Sequence, residues 1–422
     1  MKRASRLAVP VILLLSAAAG CNDRSLATCD ITQHACQVDI YYHVLDLRGD
    51  GYDPFGGLPP LTVITEDQFR AALEAEAAAS AKDNGPSPWD KALELLHFTT
   101  GPVAPAPDGG VGVDGGAPID AGDSTIDDEV KHIYAFYDSQ TKTITVIAHP
   151  DSGDAYALEN GMITLAHELV HALQDRELDL ASGNVRSSDE YFASRAMIEG
   201  DARFYENLFA ADVYRKAKAT LRDPDPLNWP DDELNYDYAN FDQLGAPLSA
   251  ASYFGYPLGA KYEATAYRSG GNAAVRHAYA KEPIRTVGFL VGADGRAPPV
   301  GTGDVCSPPY VPALPTDGDT VGADHFGALL FYTFLRGFGV DHDTAFTTAQ
   351  TWTGDFLLVQ ANADLTTTAV SWRLEFSAAV PAGIASTLTA GGLSVSTGAK
   401  SIEITTTDSA TPLVWQPSAN CP

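Results

Sequence analysis

Positive charge is scarce in this chain of 422 residues: Lys and Arg number 27 against 55 Asp and Glu, a formal charge of −28. Phosphate binding depends on clustered Lys and Arg, and no such cluster occurs, so the composition argues against a nucleic-acid partner. Long apolar runs are missing as well; beyond one short stretch at the start, none approaches the roughly 20 residues that a bilayer crossing needs. A polytopic membrane protein is thereby excluded. No G-x-S-x-G occurs, which argues against a serine-hydrolase elbow, and there is neither an internal repeat nor a βαβ alternation. Cysteines number five, none in CxxC or Cys/His spacing, so a cysteine zinc site is not expected. Hydrophobic residues, at 45%, still suffice for a substantial core, and wholesale disorder is ruled out.

What the start does carry is Lys2, Arg3 and Arg6, an apolar stretch from Leu7 to Leu15, and the small residues Ser16 to Gly20 before Cys21. That order reads as a signal peptide over residues 1–20, with an apolar part too short for a membrane helix. The Ala19-Gly20-Cys21 junction resembles a bacterial lipoprotein box, which implies acylation of Cys21 and a lipid anchor holding an exported protein in the bacterial cell envelope. Ala18 stands where Leu is commoner, and cleavage at a nearby alanine gives a secreted, unlipidated form instead. With Cys21 lipidated, Cys29, Cys36, Cys306 and Cys421 remain, an even number in an oxidising compartment. Cys29 and Cys36 are close enough for a small loop, leaving Cys306 with Cys421, but every pairing stays open.

Along the chain, residues 22–37 read as a tether and Val38 to Leu47 as a strand. Glu66 to Ala81 is Ala- and Glu-rich, with Phe69, Leu73 and Ala77 on one helical face, and Trp89 to Leu96 forms a second helix. Gly101 to Asp123 shifts to the composition of a flexible Gly/Pro/Asp-rich insert; its single GGxGxD copy, Gly109 to Asp114, is chance, because a calcium-binding β-roll needs several. Next, His132 to Tyr137 and Thr143 to Ile147 flank a polar turn as a β-hairpin. Gly161 to Leu221, much of Ser249 to Ala280, and His325 to Phe338 read as helical. Strands return beyond Ala390, at Leu393 to Val395 and Ile402 to Ile404. The fold class is mixed α+β.

The informative segment is Leu165-Ala166-His167-Glu168-Leu169-Val170-His171-Ala172-Leu173-Gln174-Asp175, which contains HExxH. On a helix, positions i and i+4 share a face about 6 Å apart, so His167 and His171 can turn nitrogens to one metal. Glu168, rotated by about 100°, stands beside the metal as base instead of joining the ligands. Composition predicts only about 0.01 such motifs by chance in a chain this long. A catalytic zinc needs a third protein ligand and an open position for water. Ser187-Ser188-Asp189-Glu190 has capping-box form, and the helix it starts carries Glu199, which is the expected third ligand. Small neighbours Ala196, Gly200 and Ala202 allow this helix to approach the motif helix. Pairing of Glu199 with Arg195 or Arg203 is the alternative, with Asp201 and Glu190 as substitute ligands. Asp175 either accepts the second ring N–H of a ligand histidine or is a charged helix end.

HELVH followed by a distant Glu resembles the gluzincin branch of zinc metallopeptidases. The resemblance implies that His167, His171 and Glu199 hold Zn2+, that Glu168 is the general base, and that the substrate is a peptide or protein. A more specific likeness is to uncharacterised exported bacterial proteins. It rests on Ala135-Phe136-Tyr137-Asp138, HELVHALQD, Glu199-Gly200-Asp201-Ala202, Tyr256-Pro257-Leu258-Gly259, Gly270-Gly271 with Ala278-Tyr279, and Trp352-Thr353-Gly354-Asp355. It spans roughly residues 62–376 and implies a zincin-like metallopeptidase domain over 128–380. Before that domain come a signal peptide (1–20), a tether (21–37), an N-terminal strand and helices (38–100) and the insert (101–127); after it comes a β-rich end (381–422). Asp201 stands where that group usually has Glu, and Thr286 to Val291 lacks its His-Pro. A residue stabilising the oxyanion is not assigned; Tyr256 and His277 are candidates by residue type alone, and each reads more readily as a packing or surface residue. The expected chemistry is hydrolysis, with Glu168 taking a proton from water and passing it to the leaving amine. An inactive zincin-like surface lipoprotein, serving as a binding or structural module, is the alternative.

Overall fold

A computed structural model of the chain describes residues 27–51, 53–83, 87–99, 126–150, 154–180, 185–214, 225–279, 285–292, 310–313, 318–362, 367–408 and 414–417. The signal peptide, Cys21, most of the Gly/Pro/Asp-rich insert, Cys306 and Cys421 lie outside those residues. What is described is an α+β arrangement.

The first element, α1 (His34–Arg48), takes in Val38 to Leu47, which the β-branched composition suggested as a strand, and starts inside the expected tether. Packing overrides that propensity: Cys36, Ile40, Tyr41, Val44 and Leu45 are buried at helical spacing in the cluster that includes the motif helix. A disulfide joins Cys29 to Cys36 where this helix begins. β1 (Leu61–Thr65), α2 (Glu66–Asp83), α3 (Pro88–Leu95) and α4 (Ile126–His132) precede the hairpin β2 (Ala135–Asp138) and β3 (Thr143–Ala148). β1 lies parallel to β3, with Leu61 opposite Ile144, and β2 lies antiparallel to it, giving the order β1-β3-β2.

The helical centre comprises α5 (Ala155–Leu178), α6 (Ser188–Tyr214), α7 (Trp229–Ala239), α8 (Pro247–Tyr279, bent at Gly270 and Gly271) and α9 (Thr286–Val291). After β4 (Tyr310–Ala313) and β5 (Gly318–Asp324) come α10 (Gly327–Gly337), α11 (His342–Gln350), β6 (Trp352–Asn362), β7 (Thr368–Phe376), α12 (Ala382–Ala390), β8 (Ser394–Thr397), β9 (Ser401–Thr407) and β10 (Val414–Pro417). β5, β6, β7, β9 and β8 form one antiparallel sheet in that order, and β10 pairs with β4. β8 and β9, at the C-terminal end, therefore complete a sheet begun before residue 380. Among the described residues, no helix is long and apolar enough to cross a membrane.

Two large apolar clusters carry the packing, and α6 belongs to both. Phe192, Ala193, Ala196 and Met197 join the cluster of α10 and the five-stranded sheet; Ala202, Phe204, Tyr205 and Phe209 join that of α1, α5 and the hairpin. Each fully buried Leu or Phe contributes about 1.5–3 kcal/mol. Glu199 sits at the changeover, held from both sides.

Candidate metal centre

α5 begins at an Asp154 cap, whose side chain accepts from Tyr156 N, and ends at Asp179, in a left-handed conformation (φ 52°). Every residue from Leu165 to Asp175 is buried, so this helix has no solvent face along the motif. α6 starts as expected after Ser187, whose hydroxyl accepts from Glu190 N at 3.3 Å. The capping box is only half made, because Glu190 turns to the backbone and guanidinium of Arg186.

His167, His171 and Glu199 converge. Their Nε2 atoms stand 2.9 Å apart, and Glu199 Oε2 lies 3.4 Å from each. Outer bonds fix which nitrogens carry hydrogen. His167 Nδ1 donates to Glu206 Oε2 at 2.9 Å, a carboxylate that only accepts. His171 Nδ1 donates to Gln174 Oε1 at 2.8 Å, because the Gln174 amide nitrogen is committed to Ile198 O and Asp201 Oδ2, each at 2.9 Å. A neutral ring whose Nδ1 carries the proton presents a lone pair at Nε2. Two lone pairs and a carboxylate oxygen thus face one point, an arrangement that can hold a metal ion.

The surrounding charges favour a cation at that point, either a second proton on His167 or a metal ion in its place. Burial acts to lower His167, yet bonds to Glu199 and Glu206 outweigh it and push it up to about 10. Burial likewise opposes ionisation of Glu199, but His167, His171 and Arg195 hold its carboxyl well below the usual range. The cluster favours a positive charge among its donors. Glu168, 6% exposed, is raised by burial against the pull of the two histidines, and its Oε2 accepts from Tyr137 N at 2.7 Å.

Glu199 divides its oxygens, since Oε1 faces Arg195 Nη2 at 3.8 Å. Ligand geometry and the i,i+4 ion pair, read from sequence as alternatives, therefore coexist. Arg195 also donates to the Tyr256 hydroxyl at 3.3 Å and lies over its ring. That ring stacks 6.2 Å from His167, so of the two residues considered for an oxyanion the structure brings Tyr256 to the site. The side chain of His277 lies outside what is described.

Other expectations are corrected. Asp175 does not orient a histidine; it accepts from the Tyr137 hydroxyl, from Lys142 Nζ and from Leu180 N. Asp201 and Glu190, the substitutes for Glu199, lie outside the convergent group: Asp201 accepts from Gln174 and from Arg48 Nη1 at 2.9 Å, and Glu190 from Arg186. Ala196 and Gly200 face α8, not the motif helix, with a Cβ on Gly200 falling 2.3 Å from Gly259. Gln174 and Glu206, the residues that orient the histidines, were missed; the signals were their spacings, three after His171 and seven after Glu199.

Set against protein-family models, curated proteins and solved structures, the chain matches none of them.

Proposed function

We propose that the chain is an exported, lipid-anchored zinc metallopeptidase with a zincin-like catalytic domain of gluzincin type. The observation that carries this reading is the convergence of His167 Nε2, His171 Nε2 and Glu199 Oε2, with a second carboxylate, Glu168, next to it in the chain. Donors about 2.0–2.1 Å from a tetrahedral zinc stand about 3.3–3.4 Å from one another. The two N···O separations of 3.4 Å fit that edge, and a small ring rotation opens the 2.9 Å N···N separation to it. Two imidazoles and one carboxylate leave a fourth position open, as in catalytic and not structural zinc sites.

When bound there, zinc supplies an acidified water and polarises a carbonyl. The chain's own residues do the rest. Glu168 takes the proton and returns it to the leaving amine. Arg195 is a donor only, so the Tyr256 oxygen accepts from it, while the phenolic hydrogen turns to the Glu199 carboxylate. Tyr256 is half-buried and stacks on His167, the most exposed ligand at 9%. Tyr256 thereby braces Glu199 from the side of His167.

Burial supports a second reading, a metal-binding surface lipoprotein without catalysis: His171 and Glu199 are 1% and 2% exposed. Elemental mass spectrometry of the mature chain, alongside Glu199→Ala, tests the shared premise. About one zinc per chain, and markedly less in the variant, is expected. A folded parent that takes up no zinc overturns both readings; a zinc-loaded parent inert on mixed peptide libraries leaves the second.

A further inference from the structure

The hairpin ahead of the motif helix supplies none of the three converging donors, yet its Tyr137 touches that helix twice. Ile147 N donates to Tyr134 O, and in an antiparallel pair alternate residues turn their N–H away from the partner. Tyr137 is one of these, and its N–H donates to Glu168 Oε2 at 2.7 Å. Two helical turns further along α5, its phenol donates to Asp175 Oδ2. The other oxygen of Asp175 accepts from Lys142 Nζ and from Leu180 N, both at 2.7 Å. Lys142, in a left-handed conformation just after the hairpin turn (φ 56°), also reaches Asp179 at 3.0 Å. Tyr137 is 3% exposed and Asp175 4%, so water does not replace these bonds.

A strand fixed to a rigid helix at two points cannot slide without breaking one of them. A one-residue slip of β2 would turn the N–H at position 137 back toward β3 and leave Glu168 unheld. We infer that Tyr137 is a positioning residue for Glu168: the phenol–Asp175 bond locks the register of β2 on α5, and that register delivers the N–H that orients the carboxylate. The inference rests on Glu168 being the base. One of its oxygens is held; among the described residues no hydrogen-bond donor is seen at the other, Oε1, which is left to take a proton.

The test compares Tyr137→Phe, Asp175→Asn and the double variant, each zinc-loaded, by hydrogen exchange over residues 135–138 and by turnover per bound zinc. With Tyr137→Phe, zinc content is expected to stay at the parent's value and the amide at position 137 to exchange at least about tenfold faster. The kcat is expected to fall about tenfold or more with KM nearly unchanged, since misplacement by about 1 Å costs up to about 100-fold. The losses of the two single variants are expected to be less than additive in the double variant, because the phenol bond is common to both, while Asp175→Asn also removes the charge facing Lys142. Unchanged exchange, or parental turnover per zinc, overturns the inference; loss of zinc together with unfolding assigns Tyr137 a structural role and overturns it too. If the parent cleaves no peptide, the proposed function fails, while the exchange comparison still decides whether the phenol sets the strand's register.

Discussion

Glu206 and Gln174 bind nothing themselves, yet they set which nitrogen each histidine turns inward. Arg203 Nη1 donates to Glu206 at 2.6 Å and Arg203 Nη2 to Glu233 at 3.0 Å, so the acceptor behind His167 is fixed to both α6 and α7. Behind His171, the line runs through Gln174 and Asp201 to Arg48 of α1. Loss of such supports typically weakens metal affinity about 10–100-fold. Glu206→Ala and Gln174→Ala are therefore each expected to weaken zinc binding by about that factor in chelator competition, without losing the fold. Glu168→Gln should instead keep zinc and lose hydrolysis, measured as turnover per bound zinc; undiminished turnover would remove Glu168 from the mechanism. The three donors that could hold a metal ion were legible because HExxH compresses two of them into one helical face. Glu206 was not, since a lone Glu beside Arg203 reads as a solvated pair until the fold brings it to His167, 39 residues earlier in the chain.

Between elements, the placement of Glu199 depends on how closely α6 lies against α8. A Cβ on Gly259 would stand 1.8 Å from the Ala196 carbonyl oxygen, and one on Gly200 2.3 Å from backbone atoms of Gly259. Neither neighbour can yield, because both are backbone. Gly259→Ala is expected to destabilise by at least about 1–3 kcal/mol, read as a lower denaturant midpoint. It should also weaken zinc binding, since α6 can relieve the clash only by moving the turn that carries Glu199; normal affinity with full stability would show that the helices have room. The periodicity of α5 and α6 and the polar turn of the hairpin made those elements readable in advance. α1 was not, because Val38, Ile40 and Val44 favour a strand locally and only the surface they cover selects the helix. Tyr256-Pro257-Leu258-Gly259 was recognisable as a motif, but its use appears only in three dimensions: Tyr256 lies over His167 and Gly259 against α6.

Across the whole molecule, the five-stranded sheet is tied to the helical centre through buried carboxylates. Asp355 of β6, fully buried, accepts from Phe326 N and Gly327 N at the start of α10 and from Trp372 Nε1 of β7. Asp189, near the start of α6, accepts from Thr286 N at 3.1 Å and lies against Gly327 from the other side. Sequence reasoning had no access to this junction, which gathers residues from five separate elements; β6 also lacks the alternating pattern that marks a half-buried strand, although β7 carries it from Ser371 to Phe376, a signal that was missed. Burial raises the Asp355 carboxyl, its three donors lower it and Asp189 raises it, leaving it pushed up from 3.8 to about 6. Between those values the folded chain binds more proton at this site than the unfolded one, so the contribution is whole at the acid end and is lost as pH rises. Asp355→Asn carries no titrating proton and lacks that slope. Measured by denaturant unfolding between about pH 4 and pH 7, the stability of the parent relative to Asp355→Asn is expected to fall as pH rises, most steeply between 3.8 and about 6, and to level off above that interval. A difference that stays flat or grows with pH would mean that Asp355 is held ionised by its donors, and that the junction is a charged cap on α10 instead of a protonated link.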